Sequence, residues 1–211
     1  MKTEDLKDLL QIGVIVPDAQ RMKITDVRVL AALAHPVRLA ILQLLLSVGE
    51  RTATQCADVV DASPSACSYH LRHLEGFGLV ARVDTHDDDA VDGRTRRWRS
   101  VATGFDFGEL LSTASPALQA ASAAVIATSL EESHRLVRHY LSHADEVSAS
   151  WQDVASFATF ALSVNAEELR SVVAAIDAIV RPLRQVTRNN APADAASVHL
   201  SFVAFPRTDL V

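Results

Sequence analysis

From Thr25 onward the apolar positions recur first with a helical period and then with an extended one. Val27, Leu30, Ala31 and Ala34 follow helical spacing behind Thr25 or Asp26, either of which can cap a helix. His35-Pro36 ends that helix and starts another, because proline disfavours helical backbone in the residue before it. The helix over 36–47 is expected to bury Val37, Ala40, Ile41, Leu44 and Leu45, with Gly49 as its terminator. Thr54 is expected to cap a short helix to Val60 whose apolar positions are Cys56, Val59 and Val60. Asp61-Ala62 then makes a tight turn into residues 63–75. There Ser63 can cap, Pro64 fits the first helical position, and Gly76 offers a left-handed stop. Cys67, His70, Leu71 and Leu74 share one face of this helix, and Ser65, Ser68, Tyr69 and Arg72 share the other. A short helix with a small, polar, hydrogen-bonding face, preceded by another short helix, suits a DNA major groove.

After Gly78 the period changes to two. Leu79 to Val83 and Arg96 to Val101 read as strands flanking a polar tip that contains Asp87-Asp88-Asp89 and Asp92-Gly93. Helices, a tight turn, a helix and a hairpin make a winged helix-turn-helix. Ser115-Pro116 repeats the cap-and-proline start, and a long helix follows to about Glu146. Alternation at Ala158, Phe160, Leu162 and Val164 predicts a strand over 156–164. Asn165 and Glu168 form a capping-box pattern for a helix over 166–187 that turns Leu169, Val172, Val173, Ile176, Ile179, Val180 and Leu183 inward. Val198, Leu200, Phe202 and Ala204 alternate in a second strand over 197–205. A short helix over 4–12 and a turn at Pro17-Asp18 are expected near the N-terminus.

The predicted fold is therefore mainly α: a winged helix-turn-helix domain, a long dimerisation helix and a small α/β region of strand, helix and strand. Residues 1–23 form an N-terminal arm, 24–103 the DNA-binding domain, 104–115 a linker, and 116–211 a region for dimerisation and effector binding. The alanine-rich first half of the long helix, Ala117 to Ala127, allows the close helix approach that a dimer seam requires.

Composition narrows this picture. The 211 residues are 49% hydrophobic but only 5% aromatic, which favours helices. A net charge of −6 confines any nucleic-acid contact to a local patch. The two cysteines, Cys56 and Cys67, build no disulfide framework and fit a reducing interior. The N-terminus lacks an apolar leader core and no apolar run reaches spanning length, so a soluble cytoplasmic protein is expected.

The segment Leu30 to Leu46 carries the junction Ala34-His35-Pro36-Val37-Arg38-Leu39, and residues 65–74 carry the pattern Ser-x-x-Ser-x-His-Leu-x-x-Leu. Together with the hairpin behind them, over about residues 24–103, they resemble the arsenic-repressor (ArsR-type) family of bacterial transcriptional regulators. The resemblance implies a homodimer that binds a palindromic operator in double-stranded DNA and represses transcription. It puts Pro64, Ser65, Ser68, Tyr69 and Arg72 at DNA-facing positions and Arg94, Arg96 and Arg97 in the wing. The chain continues well past the single terminal helix of the compact members.

The side chains suit those positions. Hydroxyls can meet base edges or phosphates, and Arg72 can grip guanine bidentately or hold a phosphate. Arg94, Arg96, Arg97 and Arg99 concentrate charge in the wing, with Trp98 expected on the opposite, core-facing side. The same arginines are also balanced by the aspartates of the hairpin tip, as on any solvated face. Metal sensing is disfavoured: Thr54-Gln55-Cys56 supplies one thiolate where soft-metal sites want several, and Cys67 reads as a small buried hydrophobe. His139 and His143, one turn apart on the long helix, are the weak metal candidates, and His35 and His70 read as structural. No cofactor is implied. Without a nucleophile motif or a phosphate-cradling glycine loop, no enzyme is expected. Trp151, Phe157, Phe160 and Phe202 are candidates for lining a small-molecule effector pocket or, more plainly, for core. The alternative readings are a winged-helix module for protein–protein contacts and a metal-responsive repressor.

Overall fold

A computed structural model describes residues 21–83, 96–106, 115–184 and 191–209. The N-terminal helix and turn, the hairpin tip and Arg94 lie outside the described residues.

Strand β1 (Arg21–Lys23) leads into α1 (Val27–Leu33), whose cap Asp26 accepts a hydrogen bond from the Arg28 backbone N–H. The chain turns by 88° into α2 (Pro36–Val48), with His35 as the non-helical residue between. Gly49 ends α2 at φ +75°, a conformation that glycine alone adopts without strain. Leu30 and Leu33 of α1 and Leu39, Ile41, Leu42 and Leu45 of α2 are buried, packed with Ile24, Val60 and Leu79 in one core. Ala31, expected inside, is exposed, and Ala32 with Leu33 is buried in its place. The neighbours of α1 are α2 and the long helix α5 (Pro116–Ser142), so its buried stripe faces the crevice between them.

Strand β2 (Arg51–Thr52) runs directly into α3 (Ala53–Ala57). The cap is Thr52, not the expected Thr54. Thr52 Oγ1 accepts from the Gln55 N–H, and Gln55 Oε1 accepts from the Thr52 N–H at 3.0 Å. Thr54 has Ala57 three residues on and so lacks the reciprocal acceptor. Cys56 and Val60 are buried and Val59 is exposed.

Helix α4 (Pro64–Gly76) is capped by Ser63, whose hydroxyl accepts from the Ala66 N–H. Its left-handed stop comes two residues later than expected. Phe77 is the cap and Gly78 takes the left-handed φ of +69°. The Leu79 N–H donates to Leu74 O at 3.0 Å and the Gly78 N–H to Glu75 O at 2.8 Å, the paired bonds of a Schellman ending. The accompanying apolar contact is Leu74 with Leu79, both fully buried. That pairing sets Gly78, rather than Gly76, as the residue that needs positive φ.

Strands β3 (Val80–Val83) and β4 (Arg97–Ser100) pair antiparallel, as the alternation predicts. Two further pairings carry too few residues to show a period. Strand β2 adds to the outer edge of β4, giving the order β2-β4-β3, and β5 (Gly104–Asp106), inside the expected linker, pairs parallel with β1.

Ser115 caps α5 as predicted, and the helix stops at Ser142 before a 3-10 turn, Ala144–Glu146. Val125 is fully buried, and the Thr128 hydroxyl donates to Ala34 O at 3.1 Å, fixing α5 to the turn between α1 and α2. After a short helix α6 (Ala149–Gln152), helix α7 (Ala166–Val180) opens with the predicted capping box of Asn165 and Glu168. It ends seven residues early in a 3-10 turn, Arg181–Leu183, where Pro182 follows. Asp177 binds Arg181 at 2.6 Å and faces Arg21 of β1 at 3.6 Å, tying α7 to the β1–β5 pair.

The expected strands over 156–164 and 197–205 do not form, so no strand-helix-strand unit is present among the described residues. Alternation marks residues able to lie in a sheet, but a strand exists only beside a partner edge. Among the described residues neither segment pairs with one. Helix α7 buries none of its residues completely. Among the described residues no single helix is long and apolar enough to cross a membrane; α1 and α2 qualify only together, across their 88° bend.

Candidate nucleic-acid interface

The two faces of α4 separate as its spacing requires. Cys67, His70, Leu71 and Leu74 are all buried, while Pro64, Ser65, Tyr69 and Arg72 are exposed and Ser68 is half-buried. The side chains on the open face are small near the helix start and long beyond it. Ser63 and Ser65 share a hydrogen bond between hydroxyls at 3.0 Å, which orients both at the N-terminal end. The first turn holds no acidic residue. Pro64 has no N–H and the Ala66 N–H is taken by Ser63, so what this end offers an approaching phosphate is chiefly the positive end of the helix dipole.

Tyr69 leaves 56% of its surface exposed. Its ring stacks on His73 at 6.2 Å and meets the edge of His70 at 5.2 Å, so the phenol is propped outward on a row of rings. Arg72 makes no hydrogen bond or ion pair among the described residues. A guanidinium left uncommitted on a rigid helix is available for a bidentate contact.

The strand pair behind α4 sorts its side chains in the same way. Trp98 and Ser100 of β4 are buried, and Arg97 and Arg99 point to the exposed side, with Arg96 exposed just before them. None of these three arginines has an ion-pair partner among the described residues. Arg82 on β3, which the alternation of the hairpin does not single out, carries out a different task. It donates to Glu75 Oε2 at 2.9 Å and lays its guanidinium 5.3 Å from the Trp98 ring centroid. It thus clamps the end of α4 to the sheet. Its signal is the cross-strand register that sets Arg82 opposite Trp98, visible once the hairpin is aligned.

Beneath α4, the His70 ring meets His35 of the α1–α2 junction at 4.7 Å. Both Nδ1 atoms are buried without a hydrogen-bond partner among the described residues. Burial is the main cause that holds both histidines below the ordinary value of 6.5; the Arg38 charge and the neighbouring rings add to it. Arg38 itself donates to the Ala32 carbonyl. His199 is lowered too, again chiefly by burial. These rings take up protons less readily in the folded protein than in the unfolded chain. Their contribution to stability is therefore fully present above pH 6.5 and falls as the pH drops below it. A urea midpoint measured from about pH 7.5 down to about 5.5 is expected to decrease, and His70→Gln to flatten part of that slope. A midpoint unchanged over this range would contradict the buried neutral pair.

The metal candidates gain no support from geometry. Among the described residues, no three His, Cys, Asp or Glu side chains converge. Burial pushes the Cys56 thiol up to about 11, helped by Cys67, whose own thiol burial also raises. Neither offers a thiolate near neutral pH. His139 and His143 lie 4.3 Å apart, and His143 Nδ1 is engaged with His139 O at 2.8 Å. Of the candidate pocket residues, Trp151 lines a cavity of about 630 Å³ with Leu46, Leu183, Val198 and Leu200. Phe157, Phe160 and Phe202 are outside its wall and largely exposed.

A helix-turn-helix domain model matches residues 33–83, from the end of α1 to the end of β3. The region that contains α4 and its preceding helix is thus a helix-turn-helix domain, which supports a DNA-binding regulator. A crystal structure of a possible transcriptional regulator for arsenical resistance is 32% identical; the match covers 55% of this chain and 97% of that one, with a TM-score of 0.30. No curated protein matches the chain.

Proposed function

We propose that the chain is a sequence-specific DNA-binding transcriptional regulator, a repressor, that acts as a homodimer on a palindromic operator. Residues 63–75 enter the major groove, and the β3–β4 hairpin, as a wing, lies along the backbone. The observation that carries this reading is the open face of α4. Ser65, Tyr69 and Arg72 are exposed on it and Arg72 has no partner among the described residues, while its opposite face is locked in the core. In this arrangement Ser65, Ser68, Tyr69 and Arg72 read bases or fix register, with Pro64 beside them, and Arg94, Arg96 and Arg97 hold phosphates. Two copies set their α4 helices about one helical turn apart. The alanine side of α5, where Ala120, Ala123, Ala124 and Ala127 are exposed, allows close helix approach between copies.

The single, buried Cys56, where soft-metal sites want several converging thiolates, weighs against a metal-responsive variant of this reading. The cationic exposed strand face and the uncommitted Arg72 weigh against a purely protein-binding module. A gel shift with DNA from just upstream of the chain's own gene tests the proposal. A discrete complex that survives excess unrelated DNA is expected; competition by any DNA at equal strength would contradict specific recognition.

A further inference from the structure

The C-terminal third of the chain is built like a core but buries little. Residues 156–164 and 197–205 run without helix or strand, and none makes a backbone–backbone hydrogen bond among the described residues. Phe160, Leu162 and Val164 alternate along one segment, and Val198, Leu200 and Phe202 along the other; all six are exposed, Phe160 by 78%. Between the segments, α7 leaves its apolar stripe only half-covered. Each segment therefore has two unmet demands: unpaired backbone groups and an uncovered apolar face.

We infer that these segments pair as strands with the same segments of a second copy of this chain, giving a continuous intersubunit sheet covered by the two α7 helices. Three features favour a second copy over another partner. Both complementary parts, strands and covering helix, are present in one chain, which is what a twofold-symmetric, self-matching interface needs. The exposed side chains on the two segments can remove on the order of 800 Å² per copy from water, the size of a stable interface. The tail is also tethered: His199 Nε2 lies 3.1 Å from Ser133 Oγ of α5, which anchors the second segment beside the long helix. The choice of a second copy also agrees with the proposed two-half-site regulator and in part rests on it.

The test uses the full chain without DNA. Hydrogen exchange, read by peptide mass spectrometry at high and low protein concentration, is expected to show slow exchange in 156–164 and 197–205 that is lost on dilution. In parallel, light scattering after gel filtration of the Phe160→Lys/Phe202→Lys double variant is expected to show dimer affinity weakened by roughly 100-fold, with the helix content retained. Fast exchange of both segments in the concentrated protein, protection that persists in the diluted monomer, or a double variant that dimerises as the parent does would each overturn the inference. If the double variant does not fold, the exchange measurement on the parent chain decides. Loss of dimerisation without DNA and failure to bind the upstream DNA are separate readouts, so failure of this interface and failure of the regulator reading are distinguishable.

Discussion

Replacing Tyr69 and Arg72 together by alanine is expected to lower affinity for the operator by about 100-fold or more while leaving the fold intact. Each base-edge contact is worth about 1–3 kcal/mol of discrimination, and a homodimer loses each contact twice. The expected cost to stability is small because both side chains project from the helix. Tyr69 is 56% exposed, with ring contacts to His70 and His73, and Arg72 has no partner among the described residues. Fluorescence anisotropy on a labelled operator, with thermal melting of the same samples, separates the two quantities. Retained affinity would place the reading surface elsewhere. Lost affinity with a collapsed melt would show only that the helix had come apart.

The opposite result is expected one position away. Leu71 is fully buried on the same helix, in contact with the core formed by α1, α2 and the start of β3. Leu71→Ala removes apolar contacts and leaves a void that the surrounding helices fill only in part, at a cost of about 2–5 kcal/mol. That is a large share of the stability of a domain this size. Urea unfolding followed by circular dichroism is expected to show a strongly lowered midpoint with DNA binding retained at low denaturant. A change below about 1 kcal/mol would mean that α4 is not anchored by this face. The neighbouring pair 71 and 72 thus separates core from contact within a single turn.

The contrast between these residues is legible in the sequence because α4 follows its helical period throughout. Its four apolar-face positions are buried, and of its four polar-face positions three are exposed and Ser68 is half-buried. The hairpin is legible for the same reason, with Trp98 in and Arg97 and Arg99 out. Periodicity misleads where a local choice depends on a partner residue. Thr52 outcompetes Thr54 as a cap because Gln55 can reciprocate. Gly78 displaces Gly76 because Leu79 has to reach Leu74. Strands β1, β2 and β5 are two or three residues long, too short for any period to emerge. The C-terminal strands fail for a further reason: their alternation is present, but among the described residues no strand pairs with them. The His35–His70 contact joins α4 to the α1–α2 junction and needs the fold to bring it together.

The salt dependence of DNA binding tests the central claim most directly. If the face of α4 and the arginines of the hairpin hold DNA, phosphate contacts must release counterions. Affinity of the full chain for its upstream DNA should then fall about a thousandfold or more between about 50 and 200 mM salt. Saturable binding with that steep dependence is the predicted result. No saturable binding at low salt, or an affinity indifferent to salt, would contradict the account.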